Sequence, residues 1–326
     1  MKSVFRSALV GIAVALLGAP GAQLLAQPYP SKPVRIVVPY PPGGANDVLA
    51  RLVAQPLGPA LKTPVIIENK PGGNAVIACE YVAKSAADGY TLLLGSQATH
   101  AANPHLLERP TYNALADFAP VAIIGEVNGV AVVHPSVPAN NMREFIAWAK
   151  ANPGKVNFGH PGVGTPMSLA GELLKIRTGA KIVSIPYKGG AQAYNALLSG
   201  EIHIMFANTP TVLGWIQHKN MRAIGVLSNT RDPLLPEVAP IAEQGVPGYD
   251  MTNWFGLFAP ANTPGAIVAR INAEVRSVTH APDLKKRLID GGANPVDMTP
   301  EQFSAYVKKS YEDVGALIKA ANLKPE

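Results

Sequence analysis

Val34 to Asp47 reads V-R-I-V-V-P-Y-P-P-G-G-A-N-D. Val34, Ile36, Val37 and Val38 make a short β-branched run of strand length. Pro39, Pro41 and Pro42 stop both ladder and helix. Gly43 and Gly44 can take positive φ and leave the backbone bare. Asn46 and Asp47 are N-cap residue types, and Leu49, Leu52, Val53 and Leu57 follow at helical spacing. The unit is strand, Gly-Gly turn, helix start. Backbone N–H groups at such a start have no intrahelical partner, and the helix dipole favours negative charge there. A carboxylate or phosphate can be held without a cationic side chain.

The unit recurs. Ile182, Val183 and Ile185 lead into Pro186-Tyr187-Lys188-Gly189-Gly190-Ala191, followed by a helical run with Ala193, Leu197 and Leu198. Two copies half a chain apart predict two similar α/β lobes, each offering a Gly-Gly helix start to one cleft. A third Gly-rich loop, Gly159-His160-Pro161-Gly162-Val163-Gly164-Thr165, also joins a strand to a helix. There Thr165 can cap the helix or offer its hydroxyl to an anion. Pro166 already fits the first helical turn, so the ligand role is the expectation.

Between these units the pattern alternates strand and helix with short connections, which implies parallel βαβ units. Strands are expected at 64–68, 90–94, 118–124, 130–133, 156–158, 202–206, 222–227 and 254–258. In such sheets ligands bind beyond the carboxyl ends of the strands. Ser96 and Thr99 sit at one such end, as ligand groups or as plain caps, and Ala207-Asn208 sit at another. The first lobe is expected to take 27–133 and 254–326 and the second 134–253, with two chain crossings forming a hinge. The helical C-terminal part, ending in a helix at 300–321 begun by the capping box Thr299-x-x-Gln302, is expected to cover the first sheet.

The 326 residues suit one large or two ordinary domains. Residues 1–26 read as a secretory signal: Lys2 and Arg6, an apolar Ala8–Leu17, then a small-residue exit to Ala26. Gly18, Pro20 and Gly21 interrupt the run before the roughly 20 residues a membrane span requires. The remaining chain is expected to be soluble. The formal charge of +6 falls to +4 without Lys2 and Arg6, and no aromatic-basic stripe appears, which argues against nucleic acid. The single cysteine, Cys79, permits no internal disulfide and reads as a core residue.

Catalytic motifs are missing. The chain has no G-x-S-x-G, no G-x-x-x-x-G-K-[ST] and no H-x-x-x-H. No cofactor, metal site or catalytic residue is expected. A Ser/His/Asp triad assembled only in the fold stays open. Tyr187 and Lys188 read as a cleft wall and an exposed lysine rather than a catalytic pair.

These stretches resemble the Bug family of periplasmic substrate-binding proteins, many of them associated with tripartite tricarboxylate transporters. The likeness runs from Y-P-S-K-P-V-R-I-V-V-P-Y-P-P-G-G at 29–44 through E-N-K-P-G-G at 68–73, D-G-Y-T-L-L-L-G at 88–95, V-V-H-P-S at 132–136 and I-P-Y-K-G-G at 185–190. It ends with W-F-G-L-F-A-P at 254–260. The resemblance implies a type II periplasmic-binding-protein fold and a small carboxylate ligand held by loop amides and hydroxyls. It also implies a place in the periplasm and delivery to permease subunits, with the protein itself a monomer. Carried onto this chain, the site residues are Gly43, Gly44, Asp47, Ser96, Thr99, His160, Gly162, Gly164, Thr165, Tyr187, Gly189, Ala207 and Asn208. Two positions depart from the family pattern: Ser168 stands where His is common, and Ala207 where Asp is common. A cleft lacking both leans toward a less polar acid. A sensory receptor and a secreted hydrolase are the alternative readings.

Overall fold

The computed structural model describes residues 29–43, 45–109 and 111–323. The secretory signal read at 1–26 and Gly44 of the first turn therefore lie outside the described residues. The strands are β1 (Val34–Val38), β2 (Val65–Asn69), β3 (Thr91–Ser96), β4 (Phe118–Val127), β5 (Gly129–Val133), β6 (Val156–His160), β7 (Ile182–Pro186), β8 (Ile204–Asn208), β9 (Arg222–Val226), β10 (Asn253–Pro260) and β11 (Ala293–Asn294). The helices are α1 (Ala45–Leu61), α2 (Val76–Ala83), α3 (Asn103–Leu106), α4 (Met142–Ala151), α5 (Pro166–Thr178), α6 (Gly190–Leu198), α7 (Thr209–Gln217), α8 (Gly265–His280), α9 (Pro282–Asp290) and α10 (Pro300–Ala320).

Two sheets divide the strands. The first has the order β11-β4-β10-β3-β1-β2 and the second β7-β6-β8-β5-β9. The Gly-rich units supply the parallel part of each: β1 pairs β2 and β3, and β6 pairs β7 and β8, all parallel. Strands adjoining the crossings run antiparallel: β10 between β3 and β4, and β5 between β8 and β9. All parallel strands of a sheet therefore end on the same side, and the loops at 39–43, 96–99, 161–165 and 187–189 leave from those ends.

The crossing out of the first sheet differs from the expected one. β4 runs on to Val127, and Gly129–Val133, assigned to the first lobe on sequence, pairs with β8 and β9 in the second sheet. The crossing is the single residue Asn128, buried, whose carbonyl accepts the Thr209 N–H at 3.2 Å. Every residue of β5 is buried, so its apolar run fits either sheet equally well. The return crossing leaves β9 and reaches β10 through 227–252. Tyr249 anchors that segment to the second lobe, its hydroxyl donating to Ala170 O of α5 at 2.8 Å.

The long helix α10 starts as expected: Thr299 Oγ1 accepts from Gln302 N–H, and Gln302 Oε1 accepts from Thr299 N–H at 2.9 Å. Its reach is larger than expected. Phe303 and Val307 pack with Trp254 and Phe258 of β10 in the first lobe. Val314, Leu317 and Ile318 belong to the second lobe's core, with Leu169, Ala170 and Leu174 of α5. One helix thus straps both lobes, alongside the two crossings. The spacing of its apolar residues says that a face is buried but not against what.

Candidate functional site

In the first loop Gly43 has φ +82, and a side chain there would meet open space. Its N–H donates to Asp47 Oδ2 at 3.0 Å, and the same oxygen accepts from Arg51 Nε at 2.9 Å. Asp47 Oδ1 accepts from Asn69 Nδ2 at 2.9 Å, and Asn69 also donates to Tyr40 O. Asp47 is 3% exposed. The Arg51 guanidinium, then the Gly43 N–H, hold its carboxyl far below the usual carboxylate range. Asp47 therefore clasps the loop from inside, and both its oxygens are engaged there. Asn69, at the end of β2, is a partner that sequence did not single out.

The second loop is closed in the same manner. Thr99 is fully buried. Its hydroxyl accepts from Ser96 N–H at 2.8 Å and donates to Ser96 O at 3.1 Å. His100 Nδ1 stands 2.9 Å from the same hydroxyl. With the hydroxyl proton on Ser96 O, the ring nitrogen is the donor. The other nitrogen, Nε2, is buried without a partner. His100 stacks on Phe258 at 3.8 Å, and burial pushes its pKa down to about 3, so the ring is neutral. Thr99 is thus a cap, the alternative reading given to it above, and lies behind the cleft surface.

In the second lobe two loops join into one hydrogen-bonded run. Tyr187 N–H donates to His160 O at 2.9 Å, and Gly162 N–H donates to His160 Nδ1 at 3.3 Å. Thr165 Oγ1 donates to Gly162 O at 2.8 Å and accepts from Ser168 N–H at 3.3 Å. His160 is 2% exposed, its Nε2 lies 3.0 Å from Ser184 Oγ, and burial lowers its pKa. Thr165 is therefore the N-cap of α5, with its proton and a lone pair both used. The expectation that Pro166 frees this hydroxyl for a ligand does not match this geometry. Proline sets φ but supplies no acceptor for the N–H of Ser168.

The start of α6 is built differently. Gly189, its N-cap, has φ +102, no side chain caps the helix, and a Cβ on Gly189 would meet nothing within 4 Å. Lys188 is exposed beside it. Tyr187 donates its hydroxyl to Glu201 Oε1 at 2.8 Å, and burial, then Glu201, pushes its pKa up to about 12. Ala207 is buried in the second lobe's core, so it contributes wall rather than a polar group. Asn208 precedes α7 without capping it, and its Oδ1 is buried with no partner.

The two lobes meet at these loops. A side chain on Gly164 would strike Leu106 of α3, and one on Gly292 would strike Pro210 of α7. Leu106 was not marked by sequence, because a lone leucine carries no signal of contact across a cleft. Among the described residues no group of three His, Cys, Asp or Glu side chains is arranged to hold a metal ion. No helix there is long and apolar enough to cross a membrane.

The family model described as tripartite tricarboxylate transporter family receptor matches residues 49–323. The chain belongs to that family. Protein BugT of Bordetella pertussis is 36% identical over 318 residues, 97% of each chain. An R. palustris protein solved with adipate is 32% identical with a TM-score of 0.78, covering 91% of this chain and all of that one. MatC from Rhodopseudomonas palustris, solved with bound malate, is 29% identical with a TM-score of 0.73, covering 89% and 100%. The chain is thus a two-lobed solute-binding receptor. Its two departures from the family pattern now have places. Ser168 is 3% exposed and donates its hydroxyl to Thr165 O at 2.9 Å, and Ala207 is 1% exposed. At these two positions the receptor carries a hydroxyl turned onto its own helix start and a buried methyl group.

Proposed function

We propose that this receptor captures a small organic carboxylate between its lobes, in the periplasm after removal of 1–26, and presents it as a monomer to the permease of a tripartite transporter. The observation that carries the reading is the uncapped start of α6. The N–H groups of Gly190, Ala191 and Gln192 have no intrahelical acceptor by their position, and no side chain fills the space beside Gly189. A carboxylate is the complement of such a start. Adipate and malate in two related structures are of that class. The reading is of binding without turnover, so ligand should be recovered chemically unchanged.

Calorimetry over a panel of acids and their neutral amides tests it. The best acid should bind at least about tenfold more tightly than its amide, since a hydrogen bond to a charged group contributes about 1.5–3 kcal/mol. Gly189→Val forces a β-branched residue into positive φ at the helix start and should lower that affinity by a similar factor. Equal affinity for acid and amide would refute the reading.

A further inference from the structure

A cavity of about 490 Å³ lies away from the Gly-rich loops, between α5, α10 and the return crossing. Leu173, Met251, Val314 and Leu317 give it an apolar interior. Gln97, the only residue of the strand-end loops to touch it, is turned to the return crossing, where its amide donates to Thr252 O at 3.1 Å. Four charged side chains line the cavity. Lys309 and Asp313 pair with each other along α10. Arg177 and Asp250 remain, one cation and one anion, and neither makes an ion pair among the described residues. The Arg177 guanidinium sits 4.0 Å from where a Cβ on Gly248 would stand. Gly248 is two residues before Asp250, at most about 7 Å along the chain. Asp250 uses one oxygen, Oδ1, to accept from Thr252 N–H and Oγ1, and the other takes no hydrogen bond.

We infer that this cavity is a binding site for a zwitterion with an apolar side chain, a free hydrophobic α-amino acid. Its carboxylate meets Arg177, its ammonium meets the open oxygen of Asp250, and its side chain enters the apolar interior. The lining is neutral in sum, which disfavours a ligand with net charge. The volume lies in the range of small-molecule sites. The inference concerns a different place from the carboxylate cleft, so the two readings fail separately.

The test is calorimetry of the full exported protein with L-leucine, L-leucinamide and N-acetyl-L-leucine. L-leucine should bind, and removing either charge from it should weaken binding at least about tenfold, roughly 1.4 kcal/mol. Arg177→Gln and Asp250→Asn should each do the same. Ala316→Trp, which fills the cavity from an exposed position on α10, should abolish binding. None of the three variants should alter affinity for the acid that binds the cleft. The inference is overturned if neither L-leucine nor L-phenylalanine binds at millimolar concentration, or if both charge variants bind L-leucine as well as the parent does. It is equally overturned if L-leucine binding is lost in Gly189→Val and displaced by the cleft acid, which would put it in the other site.

Discussion

The first lobe closes both of its strand-end loops with buried polar side chains, whereas the second closes one with the buried His160 and the Thr165 hydroxyl and starts the next helix on a bare glycine. In the first lobe Asp47 takes the Gly43 N–H, and Thr99 takes the Ser96 N–H. Those donors are consumed inside the loops themselves. In the second lobe Thr165 satisfies α5, while α6 starts on a bare glycine. The difference assigns unequal work. The first lobe presents a surface whose shape is fixed by groups already engaged within its loops. The second presents one helix start still lacking acceptors. Preformed donors cost little reorganisation when an anion arrives. On the proposed reading, the ligand is held when the second wall is brought up to the first.

The largest effect expected from this contrast is on acid stability, through His100. Its folded pKa is pushed down to about 3 by burial, against an ordinary value of about 6.5. The unfolded chain therefore takes up the proton first. Stability is complete above pH 6.5 and is lost as pH falls from there toward 3, by about 3 kcal/mol between pH 7 and pH 4. Urea unfolding of the parent and of His100→Leu at the two pH values reads this as a difference in slope. If the first lobe is the rigid one, the variant loses that part of the pH dependence. Identical slopes would show that the ring is reached by solvent.

Asp47 comes next. Asp47→Asn keeps the shape of the side chain but removes the charge that Arg51 and the Gly43 N–H address. The expected cost is about 2 kcal/mol at neutral pH, within the range for hydrogen bonds to a charged group. The sign is the same as for His100, since both pKa values are depressed on folding, but the window lies lower. A depressed carboxyl stabilises fully above its unfolded value near 4, and that stability goes only as pH falls below it toward the folded value. The cost of Asp47→Asn should thus be the same at pH 7 and pH 5, where His100 is already contributing its slope. A cost that shrinks across that window would mean Asp47 is not the clasp of the first loop.

What the sequence reveals of this follows from what side-chain patterns encode. Strand, Gly-Gly turn and helix start are local, so Val34–Asp47 and Ile182–Leu198 announce themselves through spacing and residue type. The crossing at Asn128 does not, because Gly129–Val133 is buried throughout and its pattern is the same in either sheet. The strap formed by α10 is hidden for a related reason: Phe303 and Val307 face one lobe, and Leu317 and Ile318 the other, on a single amphipathic stripe. At the site the loops were legible but the division of labour was not. Whether Asp47, Thr99 or Thr165 turns to the ligand or to its own loop depends on rotamers set by neighbours far away in sequence, such as Asn69.

Thr165 gives the smallest and most discriminating effect, because it separates the two ways a helix start in the second lobe can be satisfied. Its hydroxyl has one proton, which goes to Gly162 O, and it accepts from Ser168 N–H. Thr165→Val keeps the branched shape and removes both interactions. The Ser168 N–H then loses its acceptor, while the Ser168 hydroxyl keeps the Thr165 carbonyl, which the substitution leaves in place. Loss of an N-cap costs about 0.5–2 kcal/mol, so the ligand-free protein should lose about 1 kcal/mol in urea unfolding. Affinity for the best acid should move by less than about twofold, roughly 0.4 kcal/mol, because the proposed reading gives the carboxylate to α6 and not to α5. A tenfold fall in affinity at unchanged stability would reverse the assignment. It would mean that the lobes rearrange on closing so that Thr165 lets go of Gly162 and takes the ligand, and that the second lobe offers two helix starts to the anion instead of one.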